Sequence, residues 1–275
     1  MQSELIKNFI ITGSNRGLGF TLVRLLLERA IPHNIILTAR DTEKFQDKFL
    51  KLQEKYPTAK LFLHQLDVSN KESVGKFSAW FGENHKTLDI LVNNAGVGIK
   101  EDIYATKMAS EEVAKNTLST NVYGLIQITQ ALLPYLAPNG KIVNVSSIMG
   151  SLEKHDPKIK AKLLDSNLTT ESLIVLAQDY ENQIKARQLD GWAISAYAVS
   201  KSLVTAYTRI ALRKVLKEGQ LAMAVHPGWC RTDMGGPQAM FSDEEGADKI
   251  YYAMFNAGED GNFKLYVDNK IYEEK

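Results

Sequence analysis

Short apolar segments that alternate with helix-like segments constrain the fold of this chain more than any other feature of its sequence. The apolar segments are residues 7–12, 34–39, 61–66, 88–92, 141–145, 221–225 and 263–267. Such alternation is typical of a parallel sheet covered by helices on both faces, and right-handed crossovers make the sheet doubly wound. The sequence therefore predicts an α/β fold with a seven-stranded, mainly parallel sheet. Because no linker, repeat or low-complexity tract interrupts residues 1–275, we expect a single domain.

One region interrupts this alternation, because no strand pattern occurs between Ser147 and Tyr197. A helical insertion is predicted at about residues 152–190, where Asp156 and Pro157 form a typical helix start. One apolar stripe at helical spacing follows, made of Leu173, Leu176, Ala177, Tyr180 and Ile184. We favour a helical layer that covers an apolar surface, and a mobile lid is the alternative.

The composition excludes several classes of function. A formal net charge of +1 provides no broad field for nucleic acid or an anionic membrane. The single cysteine, Cys230, rules out an intrachain disulfide, and the five histidines show no metal-ligand spacing, so no metal is predicted. No apolar run is long enough to span a bilayer, and the first residues lack the pattern of a secretory signal. A cytoplasmic protein with neither membrane nor nucleic-acid partners is expected.

A glycine-rich turn joins the first predicted strand to the first predicted helix. It contains Gly13, Gly17 and Gly19, with Asn15, Arg16 and Leu18 between them. Glycines let the backbone turn tightly and approach a phosphate, and the helix start then offers free N–H groups. The spacing differs from the usual G-x-G-x-x-G fingerprint, so by itself the turn fits a plain strand–helix connection equally well.

Two arginines bear on the choice of dinucleotide. Arg16 lies within the glycine turn, and Arg40 directly follows the second predicted strand. An acidic residue near that strand end selects NAD through the ribose, whereas an arginine can pair with the 2′-phosphate of NADP. Asp41 weakens this argument, and two solvated surface arginines are the alternative. The pair favours NADPH as the cofactor.

Polar residues follow the fourth and fifth predicted strands at what must be one edge of a parallel sheet. Asn93, Ala95 and Gly96 belong to an Asn-Asn-Ala-Gly segment, and Ser146 and Ser147 end the next strand. Ligands bind at the carboxyl ends of strands in open sheets. The alternatives are an ordinary turn and a pair of helix-capping serines.

Tyr197 and Lys201 are four positions apart, which places them on one face of a helix. An ammonium beside a phenol favours the phenolate and lowers its pKa. A phenol tuned in this way is a useful general acid for a developing alkoxide. The pair is common in proteins, so its meaning depends on the motifs around it.

Taken in order, these motifs resemble the classical short-chain dehydrogenase/reductase family over about residues 6–268, with a Rossmann-type fold. The matching positions are Thr12, Gly13, Gly17, Gly19, Asn93 to Gly96, Asn121, Ser147, Tyr197, Lys201, Pro227, Gly228 and Thr232. The resemblance implies that Tyr197 protonates the substrate oxygen, Lys201 tunes the tyrosine and binds the nicotinamide ribose, Ser147 holds the carbonyl oxygen and Asn121 holds a water. It also implies that Thr232 contacts the carboxamide and that Asp67 and Val68 flank the adenine.

Within this family the chain is similar to the monomeric NADPH-dependent carbonyl reductases, because of the long insertion and the segment from Pro227 to Met234. This similarity implies a monomer that reduces ketone, aldehyde or quinone carbonyls, with Met149, Trp192 and Trp229 in the substrate pocket. One alternative is an NAD(P)-dependent alcohol dehydrogenase for a steroid or terpenoid, and another is a non-catalytic dinucleotide sensor. His226 replaces the small residue or cysteine of similar reductases, and we favour a plain strand-end role for it over one in substrate choice.

Overall fold

A computed structural model describes residues 7–30 and 33–273 as helices on both faces of one sheet. Its strands are β1 (Asn8–Ile11), β2 (Asn34–Ala39), β3 (Lys60–Gln65), β4 (Leu88–Asn93), β5 (Leu136–Val145), β6 (Leu221–His226), β7 (Leu265–Val267) and β8 (Lys270–Tyr272). The strand order is β3-β2-β1-β4-β5-β6-β7-β8, and β1 to β7 are parallel. The α/β fold with a mainly parallel sheet is therefore confirmed.

The sheet has eight strands in the described residues, one more than predicted. β8 pairs antiparallel with β7 through a tight turn at Asp268 and Asn269, whose φ angles are 48° and 62°. Both residue types tolerate this left-handed conformation. β8 was missed because its three residues are too short to show an apolar pattern.

Ten α-helices connect the strands within the described residues. They are α1 (Gly17–Glu28), α2 (Gln46–Lys55), α3 (Lys71–Asn84), α4 (Lys100–Ile103), α5 (Glu111–Leu118), α6 (Leu125–Leu132), α7 (Pro157–Leu164), α8 (Thr170–Lys185), α9 (Ala196–Ala206) and α10 (Asp243–Phe255). A π-helical segment, Ser119–Gly124, joins α5 to α6 and contains Asn121. Single π turns of this kind occur frequently at functional sites. None of the helices in residues 7–30 and 33–273 has the length and apolar character needed to cross a membrane.

The core forms two layers, one on each face of the sheet. In β1, Ile10 belongs to the layer beneath α3, α6 and α9, whereas Phe9 and Ile11 belong to the layer beneath α1 and α10. Successive side chains of a strand point to opposite faces, so a strand that is apolar throughout requires both faces to be covered. Each fully buried side chain of this size contributes about 1.5–3 kcal/mol.

The predicted insertion forms α7 and α8, which lie against the helices around the site. α8 begins with a capping box in which Thr169 and Ser172 exchange side-chain hydrogen bonds with each other's backbone amides. Four of the five predicted stripe residues are buried, and Leu176 is half-buried. The stripe packs against α5 and α9. The insertion thus covers the helix that carries Tyr197.

Candidate active site

A cavity of about 620 Å³ lies at the carboxyl ends of the parallel strands, where the chain order reverses between β1 and β4. This is the expected ligand position in a doubly wound sheet. Predicted site residues that line it are Gly13, Asn15, Arg16, Gly17, Leu18, Arg40, Asp67, Val68, Ala95, Gly96, Ser147, Met149, Tyr197, Lys201, Pro227, Gly228, Trp229 and Thr232. Four others, Gly19, Asn93, Asn121 and Trp192, lie outside its lining.

The glycine turn has the form of a phosphate cradle. Gly13 has φ +62°, and a Cβ there would lie 2.9 Å from the Cα of Ala95. A Cβ on Gly19 would lie 2.5 Å from the Asn94 amide, so Gly19 supports the turn from behind. α1 begins at Gly17 with neither a capping side chain nor an acidic residue in its first turn. Its N–H groups therefore remain available for an anion, and the turn fits the phosphates of a dinucleotide.

The two asparagines at the end of β4 face different surroundings. Asn94 donates from Nδ2 to the carbonyls of Thr12 and Gly13, which braces the glycine turn. Asn93 instead donates to Thr129 and Asn144 in the buried layer. The Asn93 side chain does not face the cavity, because strand alternation turns it into the core.

Positive side chains gather in the part of the cavity beside the carboxyl end of β2. Arg16 and Arg40 line it, and so does Lys44, which the sequence analysis missed. Asp41 pairs with Lys44 at 2.9 Å, and this hydrogen bond lowers the pKa of the carboxyl group. Arg16 lies 3.1 Å from Asp233, on the loop that follows Thr232. Lys44 thus neutralises the negative charge of Asp41. The adjacent Arg40 guanidinium therefore remains as a positive charge at this end of the cavity.

The start of α9 is held by a buried carboxylate that sequence reasoning missed. Asp102, in the short helix α4, accepts hydrogen bonds from the backbone amides of Ala196 at 2.9 Å and Tyr197 at 2.7 Å. The Ser195 hydroxyl caps the same end by accepting from the amide of Ala198. A negative charge at a helix N-terminus is favourable. Asp102 therefore fixes the helix turn that carries the phenol.

Tyr197 and Lys201 lie together in the cavity, as the spacing predicted. Lys201 Nζ lies 5.6 Å from the Tyr197 ring centre and donates to the carbonyl of Val145 at 2.8 Å. Burial lowers the pKa of Lys201 to about 8. Burial raises the pKa of Tyr197 to about 12, which the hydrogen bond from Ser147 offsets only in part. The predicted lowering of the phenol pKa by the lysine is not what this geometry gives, because burial has the larger effect.

The two serines after β5 have different partners. The Ser147 hydroxyl faces the Tyr197 phenol and lowers its pKa, and it accepts from the amide of Met149 at 3.1 Å. The Ser146 hydroxyl donates to the carbonyl of Lys201 and pairs with Thr205 at 2.7 Å. Ser147 thus faces the phenol, while Ser146 joins β5 to α9.

Asn121 lies behind the cavity and makes contacts on two sides. Its Oδ1 accepts from the amide of Val97 at 2.8 Å, and its Nδ2 donates to the Val97 carbonyl and to Ser200. Both Nδ2 hydrogens are therefore used within the protein. These bonds tie the π-helical segment to the chain after β4 and to α9.

Apolar side chains surround the outer part of the cavity. Met149 and Trp229 line it, and so do Tyr104, Ile148 and Met234. The rings of Tyr104 and Trp229 meet edge to face at 6.0 Å. These aromatic and thioether groups suit an apolar substrate.

Trp192 does not line this cavity, contrary to the prediction. It is buried in the insertion, where Nε1 donates to Asp179 at 2.9 Å and the ring packs edge-on against Tyr180 and His155. A buried indole N–H needs such a partner. Trp192 therefore joins α8 to the segment before α9.

A dinucleotide cradle, a tyrosine–lysine pair and a serine at one edge of a doubly wound sheet define an oxidoreductase site. The short chain dehydrogenase family model matches residues 7–156, and the chain belongs to this family. No group of three or more potential metal ligands occurs in the part of the chain that the structure describes.

Relatives that match nearly the whole chain indicate which members of the family it resembles. Carbonyl reductase [NADPH] 1 of Homo sapiens is 34% identical over 274 residues, which cover 96% of this chain and 97% of the relative. The structure of salutaridine reductase from Papaver somniferum has a TM-score of 0.83 at 27% identity, covering 94% and 99% of the two chains. An NADPH-bound carbonyl reductase from chicken fatty liver shares the fold at 24% identity, with a TM-score of 0.71 and coverage of 94% and 95%.

Proposed function

We propose that this protein reduces ketone, aldehyde or quinone carbonyls to alcohols with NADPH, and that Tyr197 is the proton donor. The observation that carries the proposal is the placement of the Tyr197 phenol, which faces the Ser147 hydroxyl and lies beside Lys201 in the cavity that begins at the glycine turn. The relatives named as NADPH carbonyl reductases support the same chemistry.

Residues at the inner end of the cavity fit the cofactor. Gly13 and Gly17 would hold its phosphates against the N-terminus of α1, and Arg16, Arg40 and Lys44 would hold the 2′-phosphate. Asp67 and Val68 would flank the adenine, while Thr232 and the turn at Pro227 and Gly228 would bind the nicotinamide end. When bound, the nicotinamide supplies the hydride.

Side chains of the protein itself carry out the proton transfer. As the carbonyl oxygen gains charge, the Tyr197 hydroxyl donates its proton to it, and the Ser147 hydroxyl donates a hydrogen bond to the same atom. The phenolate left behind is stabilised by the Lys201 ammonium nearby. A buried phenol with a raised pKa holds its proton at neutral pH, so it enters the reaction in the donating form.

Tyr197→Phe tests this role. We expect the kcat for an aromatic aldehyde and a quinone to fall by roughly a thousandfold, because the proton donor is lost. NADPH affinity, measured by fluorescence titration, should stay within a few-fold of the wild type. Tyr272→Phe on β8 is the matched control and should leave both quantities unchanged. Full turnover in Tyr197→Phe would contradict the proposal.

A monomeric, single-domain and cytoplasmic protein is part of the same proposal. Support for the monomer comes from α8, whose apolar stripe lies against α5 and α9, so that these helices are covered by the chain itself. Light scattering coupled to size exclusion tests the oligomeric state, and a dimeric mass would refute this part.

A further inference from the structure

Two buried polar atoms beside the Pro227–Gly228 turn have no hydrogen bond of good geometry among the described residues, although the second of them forms an ion pair. They are Nδ1 of His226, at the end of β6, and Nζ of Lys249, in α10. An unpaired buried polar atom costs about 1–3 kcal/mol, so such atoms usually have a role. His226 also lines the cavity.

Lys249 is fixed behind the turn by contacts on several sides. Its ammonium lies 2.7 Å from Asp268 and 3.6 Å from the ring centre of Phe241. A Cβ placed on Gly228 would lie 3.2 Å from Nζ, which places the charge directly behind the cofactor turn. Asp268 follows Val267, the residue that pairs with His226 in the sheet. The charge of this ammonium acts on the His226 imidazole, and the ammonium has donors to spare after the ion pair.

The chemistry of the two groups defines the state of the imidazole. Burial, with the charges of Lys249 and Lys201, lowers the pKa of His226 to about 4 against an opposing effect of Asp268. A neutral imidazole has one acceptor nitrogen, and an ammonium can only donate. Nδ1 is the buried, unpaired ring nitrogen, and a nearby ammonium favours a lone pair on the buried side, so Nδ1 is the acceptor and Nε2 carries the proton.

This tautomer gives the cavity a fixed hydrogen-bond donor. Nδ1 is closed off from solvent while the ring lines the cavity, so a bound molecule meets the edge that carries Nε2. The neighbouring indole of Trp229 cannot serve in this way, because its Nε1 already donates to the carbonyl of Gly235 at 2.9 Å. Tyr197 and Ser147 are directed to the reacting oxygen.

We propose that His226 is a specificity-determining residue whose Nε2–H, in the tautomer held by Lys249, donates to a second acceptor oxygen of the carbonyl substrate. The inference rests on the proposed carbonyl reduction. It assigns the site a preference for substrates that carry another oxygen near the reacting carbonyl, such as vicinal diketones, over simple ketones of similar size.

Histidine NMR tests the tautomer without turnover. Long-range proton–nitrogen correlation spectra distinguish the two neutral forms, and the His226 signals are those absent from His226→Gln. At pH 7 we expect Nε2 to be protonated and Nδ1 to be bare. In Lys249→Met the other tautomer should become populated. A wild-type spectrum with protonated Nδ1, or a charged ring, would overturn the proposal, and this result does not depend on the stability of the Lys249 variant.

Kinetics with two matched substrates test whether His226 donates a hydrogen bond to the substrate. The probes are 1-phenylpropane-1,2-dione and propiophenone, and the measurement is the ratio of their kcat/KM values. His226→Phe should lower this ratio by roughly five- to tenfold, the loss expected for one hydrogen bond. His226→Gln, whose amide places a donor near the position of Nε2, should retain most of it.

The outcomes distinguish a failure of the role proposed for His226 from a failure of the proposed carbonyl reduction. An unchanged ratio in His226→Phe, with propiophenone still turned over, would refute the role of His226 and leave carbonyl reduction intact. A weaker NADPH affinity in His226→Phe with an unchanged ratio would assign the donor to the cofactor and also refute it. If the wild type reduced neither these two substrates nor the aromatic aldehyde and the quinone, the proposed function would fail, while the NMR experiment would still decide the tautomer.

Discussion

The carboxylate of Asp102 accepts a 2.7 Å hydrogen bond from the backbone amide of Tyr197. A second bond from the amide of Ala196 makes the carboxylate a two-point anchor for the first turn of α9. Gly98 lies close by, and a Cβ there would come within 2.8 Å of the Tyr197 ring. The segment after β4 therefore fixes both the backbone and the ring of the proposed proton donor.

Removing this anchor should affect both stability and turnover. In Asp102→Ala, two helix N–H groups lose a buried, charged acceptor, so the free energy of unfolding should fall by about 2–4 kcal/mol. The kcat should fall by roughly tenfold because the phenol is held less firmly. Denaturant unfolding and steady-state kinetics measure the two effects. Glu101→Ala, at the exposed neighbouring position, is the control. Unchanged unfolding in Asp102→Ala would contradict the anchor.

The adjacent serines provide a matched pair of substitutions. Ser147→Ala removes the hydroxyl that faces Tyr197, so kcat should fall by roughly a hundredfold or more, and loss of the bond from the Met149 amide should lower the unfolding free energy by about 1 kcal/mol. Ser146→Ala removes the bonds to Lys201 and Thr205, so unfolding free energy should fall by about 1–2 kcal/mol with a smaller change in kcat. The reverse pattern would show that the two roles are exchanged.

Lys201 should make stability depend on pH in a specific direction. Its ordinary pKa of 10.5 is lowered to about 8 in the folded protein because burial disfavours the ammonium. Between these values the unfolded chain binds more protons, so stability rises with pH, and the full cost of the buried charge is present below pH 8. Relative to Lys201→Met, the wild type should gain roughly 2 kcal/mol between pH 8 and pH 10. Thermal unfolding at a series of pH values measures this, and a flat difference would refute the lowered pKa.

Local motifs made most of the site predictable. The glycine turn, Ser147 and the Tyr197–Lys201 pair each depend on a few adjacent residues at strand or helix ends, and the alternation of elements brings those ends to one edge. Asp102 could not be found in this way. It lies in a four-residue helix without periodicity and acts on an amide 95 positions away.

The direction in which a side chain points was the second property that the sequence could not predict. Trp192 and Trp229 are both aromatic residues near motifs, but only the packing of α8 shows that Trp192 is turned to Asp179. Likewise, the sequence presents His226 as an ordinary strand-end residue. Its relation to Lys249 depends on α10 and on the turn before β8, the strand that was missed.

The positive side chains of Arg40 and Lys44, beside the end of β2, should determine the choice between NADPH and NADH. Arg40→Asp should weaken NADPH binding by roughly ten- to a hundredfold, because a charge-assisted contact with the 2′-phosphate is worth about 1.5–3 kcal/mol, and should leave NADH binding nearly unchanged. Lys44→Ala should also weaken NADPH binding, because it removes a positive charge and leaves the Asp41 carboxylate unpaired to repel the phosphate. Fluorescence titration with both cofactors gives the dissociation constants. Lys51→Glu, a charge reversal on the exposed face of α2, is the control. Equal losses for NADPH and NADH in Arg40→Asp would mean that the guanidinium does not read the 2′-phosphate.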